Sequence, residues 1–343
     1  MNRLKSVILL LAVMSLPLSL YADEKEKALD IPEVVLHHMS DSYEWNIAGN
    51  VSIPLPVIVY GEDGWFFGTS KGIAGHDKLY FDDAHHGKIY EKMSDGTVRR
   101  PLDLSMTKSV CQIWIVAIIL ISVFMSISRW YKKRDCKSEA PRGFVGAMEM
   151  FVMAIYDDVV RGCVGEKHYK KYAPYLLTVF FFILLTNLMG LLPVFPGGAN
   201  VTGNINVTFF LALCTMLIVN VFGAKEYWKE IFWPDVPLFL KAYPAPLIPV
   251  IEFVGILTKP FALMVRLFAN MMAGHAIILS FTCVIFLGWT LGAGIGVGLN
   301  IFSLIMLLFM NCVEVLVAFV QAYVFTLLSA VFIGLAHPEH HSA

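Results

Sequence analysis

Charge is what this sequence has least of. Only 15% of its 343 residues are Asp, Glu, Lys or Arg, against about 25% in an average soluble domain. From Tyr172 to Ala224 there are none at all, and from Leu267 to Val313 the ionisable side chains are His275 and two cysteines. Each stretch is long enough to cross a hydrocarbon core of roughly 30 Å more than once, which excludes an ordinary soluble domain. A net charge of -1 provides no basic footprint for nucleic acid. The six cysteines (Cys111, Cys136, Cys163, Cys214, Cys283, Cys312) form no Cys-x-x-Cys pair and lie in or beside apolar runs, so they read as small apolar residues. None falls between Asp23 and Lys108, so that segment has no disulfides. The Gly-x-x-x-x-Gly-Lys-Ser/Thr phosphate loop is missing too, so the chain is not itself a nucleotide enzyme. No cofactor or metal is expected.

What is present falls into three parts. Residues 1–22 read as a signal peptide: Arg3 and Lys5, an apolar core from Val7 to Leu20, and Ala22 before a cleavage point. An uncleaved anchor helix is the rival reading. Residues 23–105 alternate Pro, Gly, Asp, His and aromatics with short β-like runs, Val57-Ile58-Val59-Tyr60 and Trp65-Phe66-Phe67, and read as an exported head with some strand. Its histidines (His37-His38, His76, His85-His86) lack metal-ligand spacing and read as structural.

Residues 106–343 form the membrane domain, expected to be all-α with five crossings. The first spans Ser109 to Ser128, and the basic run Arg129 to Arg134 after it marks the cytoplasmic side. Residues 141–171 mix apolar positions with Glu149, Asp157, Asp158, Arg161 and Lys167 and fit a helix lying in the interface. Two crossings follow, at 174–195 and 206–223, turning at Pro193 to Gly198; Lys225 and Lys229 then return the chain to the cytoplasm. A connector with Pro234, Pro237, Pro244, Pro246 and Pro249 leads to two long segments, 250–288 and 299–336, separated by Gly292, Gly294, Gly296 and Gly298. At about 1.5 Å per residue each long segment approaches twice the hydrocarbon thickness, so this C-terminal hairpin must tilt or bend. The N-terminus is expected outside and the His-rich tail (His337, His340, His341) inside.

Arg266 is the outlier. It lies deep in the first long segment, its guanidinium stays charged in proteins, and placing it near mid-bilayer costs about 2.5 to 17 kcal/mol. Glu252 and Glu314 are the acids of this chain that could pair with it; the alternative is a carboxylate from another subunit. If the two segments are antiparallel, Arg266 and Gln321 share a depth, with Asn270, His275 and Glu314 to one side. Glu314 and Gln321 share a helix face, as do Glu252, Lys259 and Arg266. His275 lies half a turn from Arg266, which requires a local unwinding or a different wall of the path. A secondary transporter is the alternative, but the chain shows no internal repeat of the kind such proteins carry. A membrane scaffold would leave Arg266, His275 and Glu314 unexplained.

The run from Leu257 to Ile278, with its Lys-Pro, Arg-Leu-Phe and Asn-Met-Met-Ala-Gly elements, resembles the signature of the ATP synthase subunit a family. So do Gln321 to Leu328 and the Asn187-Leu188-Met189-Gly190-Leu191-Leu192-Pro193 turn with Asn206-Val207-Thr208 beyond it. The resemblance implies a bacterial inner-membrane stator subunit of F0. Such a subunit carries protons through two offset half-channels to the carboxylates of a rotating ring of c subunits. Its partners are that ring, the b stalk, the other F0F1 subunits and lipid. By position, Arg266 matches the essential stator Arg, Asn270 and Gln321 its neighbours, and Glu252 a carboxylate near the cytoplasmic channel. His275 and Glu314 match an acid–imidazole pair that some members carry in the opposite arrangement. Asn204 falls where some members have Asp. The pair suits a proton relay, and the resemblance says little of the exported head.

Overall fold

The computed structural model describes residue 35 and residues 39–48, 51–73, 75–82, 87–93, 95–134, 141–192, 197–233, 247–290 and 294–337. The signal segment, His37-His38, His85-His86, Pro193 to Pro196, Pro234 to Pro246 and the tail after His337 lie outside the described residues. Packing divides the chain into two compact units.

One unit holds residues up to Val116, Thr186–Asn204 and Met271–Leu316. Its extramembrane part is built from antiparallel strands. β1 (Glu44–Ala48) pairs with β2 (Val51–Pro54). A three-stranded sheet runs β4 (Gly64–Thr69), β3 (Pro56–Gly61), β8 (Leu102–Asp103), and another runs β5 (Leu79–Asp82), β6 (Lys88–Lys92), β7 (Val98–Arg99). A single turn of helix, α1 (Ser70–Ile73), follows β4. The β-like runs seen in the sequence become the β3–β4 hairpin, turning at Glu62-Asp63 with Gly64 at φ 101, a conformation suited to glycine. Period-two alternation sends Val57 and Val59 inward and leaves Tyr60, Trp65 and Phe67 exposed. Val57 and Val59 join Tyr43, Ile73, Leu79 and Ile89 in a core flanked by Phe66 and Phe81. Full burial of each aliphatic side chain contributes about 1.5–3 kcal/mol. His76 serves this fold: its ring packs edge-on to Phe66 at 5.2 Å, and its Nδ1 accepts the Lys78 and Leu79 N–H groups.

Among the described residues, five helices are long and apolar enough to cross a membrane. They are α2 (Lys108–Lys133), α5 (Tyr169–Leu191), α6 (Ile205–Phe222), α8 (Leu247–Thr290) and α9 (Ile295–Leu335). Between α2 and α5 stand α3 (Gly143–Ile155), a π-helical turn (Tyr156–Arg161) and α4 (Gly162–Val164); α7 (Lys225–Phe232) follows α6. The stretch expected along the interface is thus a broken helix, and its last residues, from Tyr169, belong to a crossing. The glycines expected to separate the long segments are partly absorbed: Gly296 and Gly298 lie inside α9. An unbroken apolar context outweighs glycine's low helix propensity there.

The second unit holds Ala117–Leu185, Ile205–Asn270 and Val317–Ala343. Leu176, Phe180 and Ile183 of α5 are fully buried, and Phe151, Phe180 and Phe319 form an aromatic cluster. Backbones approach closely where Gly334 faces the Cys163 carbonyl; a Cβ there would lie 2.0 Å from that oxygen. Burial here runs along stripes of each helix, leaving apolar residues such as Phe209, Phe210, Val250 and Phe253 exposed for lipid or partners.

Candidate functional site

Ionisable groups lie well inside the long helices. In α9, Glu314 is 2% exposed, and its Oε1 lies 3.8 Å from Nδ1 of His275 on α8. The close approach depends on Gly274: a Cβ at that position would sit 2.0 Å from Glu314 Oε2. On its other side His275 faces Gly190 near the end of α5, whose Cβ would lie 3.5 Å from Nε2. Two glycines therefore make the room that an acid and an imidazole share. Both ring nitrogens and Glu314 Oε1 are buried without a hydrogen-bond partner among the described residues. Orphaned buried polar atoms are costly, and three of them converge here. At 3.8 Å the pair is within electrostatic reach but beyond hydrogen-bond distance.

Arg266 and Asn270 occupy a different face of α8. Both are exposed, and exposed Ala262, Ala269 and Ala273 share their side of the helix. Arg266 takes part in no ion pair among the described residues. The helix runs unbroken from Leu247 to Thr290, so no unwinding brings His275 round to the face of Arg266. On an unbroken helix the nine-residue spacing puts the two about half a turn apart. Gln321 of α9 is buried at 8% exposure beside Ala318 and Ala322, and no hydrogen bond joins it to Arg266. Glu252 is exposed near the start of α8. Of the six residues singled out in the sequence, the structure brings His275 and Glu314 into contact.

In a second group of polar residues, Lys259 alone stood out in the sequence. Asn220, Tyr227, Lys259 and Thr215 line a narrow cleft with Pro260 and Phe332, with room for about one water. Tyr227 donates to Asn220 Oδ1 at 3.3 Å, and Tyr175, Thr215 and Ser329 link their hydroxyls at 2.8 and 3.3 Å. Burial pushes the Tyr227 phenol above its ordinary pKa, and the carboxylate of Glu252 adds to the shift. Isolated Asn, Thr and Tyr residues are common in membrane helices, so only their convergence distinguishes these.

A multi-pass helical membrane domain with a fixed cation on an exposed helix face and a buried acid–imidazole pair is that of an ion-translocating protein. The chain belongs to the ATP synthase A chain family, which matches residues 110–334. Residues 34–106 match a domain of unknown function (DUF8433). Among similar proteins is an ATP synthase subunit a of Chlorobium phaeobacteroides (strain DSM 266 / SMG 266 / 2430). It is 44% identical over 69% of this chain and 67% of its own length. One from Chloroherpeton thalassium is 40% identical over 77% and 80%, and one from Anaeromyxobacter sp. (strain Fw109-5) is 35% identical over 90% and 71%.

Proposed function

We propose that this chain carries protons along two offset half-channels that meet at Arg266, where they exchange with a carboxylate on a rotating ring of c subunits. The observation that carries this reading is a permanent cation on an exposed, small-residue face of an apolar helix, with no acid among the described residues paired to it. Alanines beside it let a partner helix approach closely. The partner group that suits this place is a carboxylate in the membrane.

On this reading His275 and Glu314 relay protons on the outer side, and Glu252, with the cleft at Tyr227, serves the cytoplasmic side. Asn270 and Gln321 flank the crossing point. Arg266 favours the ionised carboxylate, so a ring site gives up its proton before passing and takes one up afterwards. The same positive charge opposes direct passage between the half-channels. Across the full membrane that passage is worth about 2.3 kcal/mol per charge per 100 mV, so a short circuit dissipates the drive for rotation. The imidazole–carboxylate pair suits H⁺ as the ion. The head lies outside and the C-terminus inside, in keeping with the basic residues Arg129 to Arg134 after the first crossing. A secondary transporter, the alternative class, is not favoured in a chain of this family.

The test is Arg266→Ala in vesicles containing the assembled complex. Coupled ATP synthesis should be lost, and Arg266→Lys should restore little, because an ammonium can shed its proton when desolvated. Normal coupled synthesis by an assembled Arg266→Ala complex would end this reading.

A further inference from the structure

The β-rich head is joined to the acid–imidazole site by a short chain of buried contacts. Trp45 of β1 is 1% exposed, and its indole N–H donates to the carbonyl of Gly197 at 3.2 Å. Gln112, fully buried on α2, accepts the N–H of Ala199 through Oε1 at 2.8 Å. The head is itself fixed to the start of α2: Asp41 accepts the Ser109 N–H at 3.0 Å, and Ser42 accepts the Lys108 N–H at 2.9 Å. Residues 197–199 are thus held from two directions, one of them the head.

What these residues hold is the wall beside His275. The Ala199 carbonyl lies 3.2 Å from the point where a Cβ on Gly190 would stand, and His275 Nε2 lies 3.5 Å from the same point. The space in front of the Gly190 Cα is therefore bordered by both the turn and the imidazole. Further bonds tie the turn down: Gly198 donates to the Met189 carbonyl at 3.1 Å, and Thr202 donates to Asn187 Oδ1 at 2.7 Å. Ala199, Val201 and Thr202 are all at most 2% exposed. The whole path from Trp45 through Gly197, Ala199 and Gly190 to His275 lies within one compact unit.

We infer that the head is a cap that positions the 197–199 turn over the His275–Glu314 pair, with Trp45 as its positioning residue. This rests on the reading of that pair as the outer proton relay. Geometry favours a cap over a free-standing module, because a tryptophan inserted in a membrane-domain turn is buried only while the head is docked. The indole N–H satisfies a carbonyl that burial would otherwise leave unpaired. A loosened turn would expose His275 to the outer solution and change the conditions under which the pair takes up protons.

The experiment uses the intact complex in vesicles with two single changes, Trp45→Phe, which keeps a ring but removes the donor, and Gln112→Met, which removes the acceptor. Each is made in two backgrounds. In a chain whose native cysteines are alanine and which carries His275→Cys, labelling by a membrane-impermeant thiol reagent added on the head side is followed. It should quicken about tenfold or more, the scale of one buried backbone hydrogen bond. In the otherwise native chain, the dependence of proton-driven synthesis on outer pH should shift. Unchanged labelling in both variants overturns the cap, whatever happens to synthesis. Quickened labelling with an unaltered pH profile upholds the cap and refutes the relay on which its function rests.

Discussion

Gly274→Ala would test the geometry of the acid–imidazole pair with one added carbon. The new Cβ would lie 2.0 Å from Glu314 Oε2 and 2.3 Å from both Cδ and Oε1. Reaching an ordinary contact of about 3.5 Å requires the carboxylate to retreat by about 1.5 Å. A retreat of that size away from α8 lengthens the present 3.8 Å to His275 to about 5 Å, where Coulomb attraction is weaker. Glu314 is 2% exposed, so it moves against packed neighbours, and overpacking of this kind costs about 1–3 kcal/mol. If that cost falls on the protonation step, the rate drops roughly 5- to 150-fold. The helix itself gains about 1 kcal/mol from replacing Gly, so lost activity reports displacement of the acid and not a weakened helix. The assay is ATP synthesis driven by an imposed proton gradient, normalised to assembled complex. Shortening the acid by one methylene, about 1.5 Å, makes Gly274→Ala with Glu314→Asp the rescue, expected to recover a good part of the rate. A Gly274→Ala complex that synthesises at the native rate with the native pH profile would refute the argument.

Glu314→Gln should lower proton-driven synthesis, and the exchange His275→Glu with Glu314→His should recover part of it, because the exchange keeps one acid and one imidazole in contact; recovery no better than the worse single change counts against pairing. Glu252→Gln should slow proton exchange with the cytoplasmic side while leaving outer access intact, read by reversing the side of the pH step in vesicles. Single-cysteine labelling from outside should modify a residue placed near Asp63 and spare one near Ser342; modification of both would overturn the proposed topology.

The five crossings were legible because apolar length without charge is a strong signal when backbone groups must be satisfied inside each helix. The ends were less so: α2 extends past Ser128 to Lys133, since Trp130, Tyr131, Lys132 and Lys133 carry a helix through the interface as easily as they end it. His275 and Glu314 could be proposed as partners from the family resemblance, with their spacing from Arg266 and Gln321 placing both to one side. That Gly274 and Gly190 shape their space could not, because a glycine's reason is the atom it admits, and that atom comes from another helix. Trp45 was hidden for the same cause. A tryptophan in a head rich in aromatics shows no sequence mark of being the one bonded to Gly197, 152 positions away.

The length of α8 has a mechanical consequence. Its 44 residues extend about 66 Å at about 1.5 Å per residue, about twice the roughly 30 Å of hydrocarbon, so the helix tilts, bends or runs on into the interface. Along a tilted helix, position in the sequence becomes partly sideways displacement. The nine residues from Arg266 to His275 span about 13 Å along the helix axis, more than the roughly 8–10 Å between the axes of packed neighbouring helices. On the proposed reading the helix acts as a ruler laid beside a wheel: the residue count between its fixed charge and its relay sets the stroke. An insertion or deletion between Arg266 and His275 would alter the gearing before it altered the chemistry.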